Sequence, residues 1–133
     1  MKWTKWMLAM CAGLAVLSGS FAMMPHEGIE EIMEKGFKKG GLRQQIGNEI
    51  DKDKPNWAEV EKKTSELSKL CTALCKEKQP QGEAESWKKL TEALAANVKS
   101  LSSAISKKDQ PGAKATMTRI NNSCKECHDI HRP

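Results

Sequence analysis

Apolar residues along this chain recur mainly at intervals of three and four, the period of one face of an α-helix. The clearest run predicts one amphipathic helix of about 24 residues. Its apolar positions are Trp87, Leu90, Leu94, Val98, Leu101 and Ile105. The alternation typical of β-strands is absent. The chain also has no tyrosine and only two phenylalanines, a composition that favours helices over a sheet.

Three further segments carry the same period more weakly. The segment before the clearest helix has Pro55 in its expected first turn, and its apolar positions are Trp57, Val60, Leu67, Leu70 or Cys71, and Leu74. The last helix is expected to open after the stretch "DQPG" and carries Ala113, Met117, Ile120, Cys124, Cys127 and His131. The first helix is the weakest and carries Ile29, Ile32, Met33 and Phe37.

Glycines and loops set the expected architecture. Gly40 and Gly41 are expected to end or kink the first helix, because glycine costs about 1 kcal/mol against alanine inside a helix. The connections between the four segments are short: "DKDKPN", "KQPQGEA" and "KKDQPG". Short loops between long amphipathic helices make sequential helices antiparallel neighbours. The predicted fold is therefore an all-α, antiparallel, up-down four-helix bundle.

The first 22 residues have the composition of a cleaved secretory leader. Lys2 and Lys5 precede an apolar run, and Ser20-Phe21-Ala22 forms a small-x-small cleavage site. The apolar run is shorter than the roughly 20 residues that a membrane span needs. We therefore expect residues 23–133 to form one exported domain, in the periplasm or an equivalent compartment, with no stable membrane insertion after cleavage.

The charge and composition of this domain restrict the kinds of partner that it is expected to bind. The whole chain carries a formal charge of +5, and the leader contributes Lys2 and Lys5 to it, so the mature chain carries +3. The lysines are scattered among acidic residues and few aromatic side chains accompany them, which argues against nucleic-acid binding. Most of the lysines are read as a solvated face, and a docking patch for an acidic redox partner is the sharper alternative.

The candidate chemistry lies in the last twelve residues, "NSCKECHDIHRP". Cys124 and His128 are one helical turn apart on the same face, and Cys127 lies three residues after Cys124. Cys-x-x-Cys-His is the spacing of covalent c-type haem attachment, which needs two thiols for two vinyl groups and an axial nitrogen on the next residue. We therefore expect Cys124 and Cys127 to form thioethers and His128 to bind the iron.

Two other kinds of site use similar residues. A zinc-stapled interaction domain would need four ligands in a tetrahedron, and one helix carrying Cys124, Cys127, His128 and His131 cannot wrap them around one ion. A thiol–disulfide oxidoreductase using Cys124 and Cys127 would place the pair at the start of a helix that follows a strand. Here the pair lies near the end of a helix in an all-helical chain.

At this point the chain resembles the cytochrome c′ family, in particular the short variants of the class II c-type cytochromes. The resemblance rests on "ESWKKLTEALAANVKSLSSAISKKDQPGAKATMTRINNSCKECHDIHR", in which six positions correspond to the family pattern: Trp87, Asp109, Cys124, Cys127, His128 and Arg132. It covers the last two helices well, the second helix loosely and the first helix weakly.

The resemblance implies a four-helix bundle, often a homodimer, with one covalent haem c and His128 as the proximal iron ligand. It implies electron transfer to a redox partner, binding of NO or CO at an open axial position, or both, and we expect no enzymatic turnover. It also implies that Arg132 lies near the haem. A cation at the C-terminal end of the helix, favoured by the helix dipole, is the plainer reading of Arg132, and the two are compatible.

The sequence leaves the second axial ligand of the iron undetermined. His131 and Met117 share a helix with His128 and cannot easily cross the haem, whereas Met33 and His26 belong to the first segment. Met33 is the first candidate for a sixth ligand, although a methionine on such a stripe is often core filler. An open or weakly occupied distal site is the other reading.

Cys71 and Cys75 depart from the family pattern. Neither is followed by histidine, so they do not predict a second haem. Four residues apart on a helix, they approach the upper limit of disulfide geometry. Buried thiols, a strained disulfide and a bridge at a dimer interface remain three readings of the pair.

Overall fold

A computed structural model describes residues 28–133, which form five α-helices. They are α1 (Ile29–Gly36), α2 (Leu42–Ile50), α3 (Trp57–Lys76), α4 (Ala84–Ser106) and α5 (Gln110–His131). All regular secondary structure in this range is helical, as predicted. The expected leader and the first residues of the expected domain, with His26 among them, lie outside the described residues. No helix in the described range is long and apolar enough to cross a membrane.

The three long helices α3, α4 and α5 pack in sequence as antiparallel neighbours. The short helices α1 and α2 together occupy the fourth position, with α1 against α3 and α2 against both α3 and α5. Hydrogen bonds tie the ends together: the side chain of Gln110, at the start of α5, donates to the carbonyl of Ile50 at the end of α2 (2.6 Å). The bundle is confirmed, and its first predicted helix is two helices.

The division between α1 and α2 has a local cause at Gly40 and Gly41. Gly40 has φ +85°, a left-handed conformation that other residues adopt at a cost. A Cβ on Gly41 would lie 2.9 Å from the carbonyl oxygen of Lys35 and 3.0 Å from that of Lys38. The two glycines therefore let the chain turn back closely on the end of α1, and the predicted break at this pair is confirmed.

Side-chain caps set the starts of α3 and α5. The side chain of Asn56 accepts a hydrogen bond from the N–H of Glu59 (3.2 Å), so α3 begins after it and Pro55 lies before the helix. The side chain of Asp109 accepts from the N–H of Gly112 (3.0 Å), so α5 begins inside "DQPG". Both predicted starts were wrong by a few residues, because the capping oxygen rather than the proline fixes the boundary.

Glu49 joins the end of α2 to the start of α3. Its carboxylate accepts hydrogen bonds from the ammonium of Lys52 and from the backbone N–H of Asn56, the latter at 2.8 Å. These two hydrogen bonds, the first above all, lower the pKa of Glu49. A carboxylate that is largely buried is thus kept charged by its partners.

The interior contains two apolar clusters. The larger one runs through α2 to α5 and includes Cys71, which is 1% exposed. The smaller one, which we call the Trp87 cluster, consists of Ile32, Leu70, Leu74 and Trp87. Met33 from α1 and Cys127 from α5 pack against the Trp87 cluster, so this cluster forms the floor between the two predicted site segments.

Candidate functional site

A cleft of about 210 Å³ opens where α5 faces α1 and α2. Helix α5 lines it with Ser123, Cys124, Cys127 and His128. The remaining lining comes from the other helices and the turn after α1: Met33, Phe37, Lys38, Arg43, Leu74, Leu90, Thr91 and Leu94. The cleft therefore combines an apolar floor with two cations, two thiols and an imidazole, the composition expected of a site for an apolar ligand that bears acidic groups.

Cys124 and Cys127 project into this cleft from the C-terminal third of α5. Both are half-buried, and the thiol of Cys124 lies 3.5 Å from the carbonyl oxygen of Ile120. Burial, and then the nearby Cys124 and Glu126, raise the pKa of the Cys127 thiol. The surroundings of Cys127 therefore disfavour its thiolate, which is the reactive form of a cysteine.

His128 lies at the rim of the cleft and is exposed to solvent. The structure thus places His128 at the edge of the site, whereas both cysteines are half-buried. The residue of the motif region that does enter the core is His131, which is 1% exposed. The apolar stripe of the last helix, which runs from Ala113 to His131 in steps of three and four, predicted His131 rather than His128 on the inward face, and its burial confirms this.

Both ring nitrogens of His131 are engaged. Nδ1 is 2.7 Å from the carbonyl oxygen of Gln81, and Nε2 is 3.1 Å from the hydroxyl of Ser86. A ring with both nitrogens in hydrogen bonds has none left for a metal, so His131 does not supply the fourth ligand of the zinc alternative. Among residues 28–133, no three His, Cys, Asp or Glu side chains converge on a metal position.

Met33 lines the cleft, whereas Arg132 is not among the described lining residues. Met33 is half-buried and lines the cleft from α1, on an element other than the one that carries His128. Arg132 is exposed just beyond α5, where its N–H bonds to the carbonyl of His128 (3.1 Å). Arg132 is not among the described residues that line the cleft. Its position just after α5 fits the plainer reading, a cation at the end of a helix.

Arg43 is a cleft residue that the sequence did not reveal. Its Nη1 donates to the side-chain oxygen of Asn121 (2.6 Å) and its Nη2 to the carbonyl of Phe37 (3.4 Å). Its Nε–H is buried, and no described atom accepts a hydrogen bond from it. A buried, unpaired donor on a cation is costly, and a carboxylate in the cleft would satisfy it. Haem carries two such carboxylates, so the residues present fit that group.

A larger groove, of about 1290 Å³, runs between α3 and the two short helices. Nearly half of its lining residues are lysines and glutamates, among them Lys35, Lys69 and Glu66, and none of the predicted site residues lines it. Size alone would favour this groove. The smaller cleft holds the thiols, the imidazole and the unsatisfied guanidinium, so it is the candidate site.

A helical bundle whose last helix presents Cys-x-x-Cys-His at a cleft has the arrangement expected of a c-type cytochrome. The family model described as Cytochrome C′ matches residues 35–132, which is well over half of the chain. The chain therefore belongs to the cytochrome c′ family. No curated protein and no solved structure gives a significant match.

Proposed function

We propose that this chain is an exported monohaem c-type cytochrome that carries electrons to or from a redox partner and does not turn over a substrate. Cys124 and Cys127 would hold the haem by thioethers, and His128 would be its proximal ligand. Binding of NO or CO follows wherever the other axial position is free. Export is proposed from the leader-like residues 1–22, which lie outside the described range.

The observation that carries the proposal is that Cys124, Cys127, His128 and Arg43 line one cleft, and that the buried Nε–H of Arg43 has no acceptor among the described residues. Two thiols and an imidazole alone are compatible with several chemistries. An unsatisfied guanidinium donor in the same cleft selects a ligand that also bears an acid. An apolar floor below them selects a ligand with apolar faces.

When bound, haem supplies a one-electron iron centre whose potential depends on axial ligation, hydrogen bonding and burial. The chain would contribute the rest. The thioether cysteines would fix the group to α5, Arg43 would bind an acidic edge, and Leu90 and Leu94 would exclude water from an apolar face. Close packing on the Trp87 cluster keeps Cys127 in place, so the attachment point is held by the core.

Met33 decides between the two uses of the distal position. It brings a thioether sulfur to the cleft from α1, and it packs against the same cluster as Cys127. A methionine bound to the iron would give a plain electron carrier. A methionine that only fills space would leave the iron open to NO or CO.

The test is an absorption spectrum of the natively matured protein, first oxidised, then reduced, then exposed to CO. The proposal requires a haem Soret band, and its absence would sink the proposal. Met33→Leu, which conserves volume, is the matched variant. If Met33 binds the iron, the parent ignores CO and the variant responds to it. If the site is open, parent and variant both respond.

A further inference from the structure

The loop between α3 and α4 holds the end of α5 through the buried ring of His131. A backbone carbonyl can only accept a hydrogen bond, so Nδ1 of His131 donates to Gln81 (2.7 Å). In the neutral ring Nε2 is then the acceptor for the hydroxyl of Ser86 (3.1 Å). These two bonds join α5 to the loop and to the first turn of α4.

The same loop closes on the helix end in a second way. The side-chain amide of Gln81 donates to the carbonyls of Ile130 (3.2 Å) and Arg132 (2.8 Å), groups that a helix terminus otherwise leaves unpaired. Gly82 has φ +76°, and a Cβ there would lie 3.0 Å from Nδ1 of His131. A glycine at this position therefore lets the loop approach the ring.

Trp87 completes the contact from the core side. Its ring meets that of His131 edge to face, with centroids 5.3 Å apart, and its indole N–H donates to the carbonyl of Glu77 (2.8 Å). Trp87 belongs to the cluster on which Cys127 packs. We call His131, Gln81, Ser86 and Trp87 together the C-terminal latch.

We propose that His131 is a positioning residue that fixes the last turn of α5 and thereby His128. The imidazole of His128 is exposed, so packing does not fix its ring. Its backbone carbonyl accepts the N–H of Arg132 (3.1 Å), which places it in the turn that the latch holds. Helix ends fray unless they are tied down, and the latch ties this one. The inference rests on the proposed role of His128 as the iron ligand.

The first arm of the test uses the natively matured protein, whichever group it carries, and measures hydrogen exchange at the Arg132 amide. His131→Phe removes both hydrogen bonds and keeps the aromatic contact, so exchange should accelerate about tenfold or more. Ser86→Ala removes one bond and should accelerate it by a smaller factor, which keeps the test available if His131→Phe folds poorly. His131→Asn, whose amide can donate to Gln81, should restore part of the protection. Unchanged exchange in His131→Phe and Ser86→Ala would overturn the latch.

The second arm uses the reduced, haem-bearing protein with Met33→Leu in every variant, so that Met33 cannot occupy the axial position opposite His128, and measures the iron–histidine stretching band by resonance Raman spectroscopy. We expect the band to broaden and shift in His131→Phe and to return towards the parent in His131→Asn. Thr64→Val is the matched control, because Thr64 is another buried polar residue, on α3 near Ile105 and away from the latch. That variant should lower stability and leave the band unchanged.

The outcomes separate the two claims. A parent protein without haem would sink the proposed function, and the positioning role with it, while the exchange arm still reports the latch. A haem-bearing parent whose band is identical in His131→Phe would overturn the positioning role alone. An equal band change in Thr64→Val would also overturn it, since general destabilisation would then be the cause.

Discussion

Replacing Gly41 with alanine tests the close turn that separates α1 from α2 and places Met33 and Arg43 on one cleft. Gly41 has φ −74°, a value that alanine adopts without strain. If backbone conformation alone mattered, the substitution would stabilise the fold by about 0.4–1 kcal/mol through the unfolded chain. The structure predicts the opposite sign.

The cost comes from three backbone atoms around the new Cβ. It would lie 2.9 Å from the oxygen of Lys35, 3.0 Å from that of Lys38 and 3.1 Å from the carbonyl carbon of Gly36. Backbone atoms cannot rotate away as a side chain can, so α1 must shift. Overpacking of this kind costs about 1–3 kcal/mol, and we expect a net loss of about 2 kcal/mol in the free energy of unfolding.

Gly40→Ala is the matched control. At this neighbouring position the backbone conformation, and not the space around the new Cβ, opposes alanine. Gly40 has φ +85° and nothing within 4 Å of the new Cβ. Its expected cost, about 1 kcal/mol, arises from the left-handed backbone alone. Urea unfolding of the haem-bearing proteins, followed by far-UV circular dichroism, measures both values. A neutral or stabilising Gly41→Ala would refute the close approach.

Three smaller predictions concern charges and thiols. Arg43→Gln should lower the reduction potential, because it removes a cation beside the proposed haem site. Arg119→Gln, on the exposed face of α5, should leave the potential unchanged. Redox titration measures both potentials, and equal shifts in the two variants would contradict a specific effect of Arg43. Because hydrogen bonds from a lysine ammonium and a backbone N–H lower the pKa of Glu49 below 4.5, its contribution to stability is present above that pH and is lost as pH falls further. Glu49→Gln should therefore flatten the fall in the urea midpoint below about pH 4.5, and an unchanged slope would contradict it. Burial raises the pKa of the Cys71 thiol to about 12, so a thiol reagent should label the half-buried Cys75 first. Mass spectrometry measures the labelling rate at each cysteine, and equal rates would contradict the burial of Cys71.

The helices that are long and strongly periodic could be predicted from sequence. The apolar stripe from Trp87 to Ile105 lies within α4, because a single apolar face of that length is buried most simply when the whole segment forms one continuous helix. The break at Gly40 and Gly41 was also visible in sequence. The start of α5 was less so, since it depends on which oxygen of "DQPG" accepts the first amide.

The motif spacing identified Cys124, Cys127 and His128, and the fold brings them to one cleft with Met33. Arg43 could not be found this way, because a lone arginine in a short helix is usually solvated, and its unpaired Nε–H exists only in three dimensions. The place of His131 on the apolar stripe of the last helix was visible in sequence, and its burial confirms it, but the geometry that fixes its ring was not visible. It depends on contacts with Gln81 and Ser86, which are 50 and 45 residues away in the chain.

The most direct test of the central claim is the intact mass of the natively matured protein under denaturing conditions. We expect the mass of the chain without residues 1–22 plus one haem, which stays attached when the protein unfolds. Replacing both Cys124 and Cys127 with alanine should remove that extra mass. A parent chain whose mass includes no haem, or a double variant that keeps it, would contradict covalent attachment at this motif.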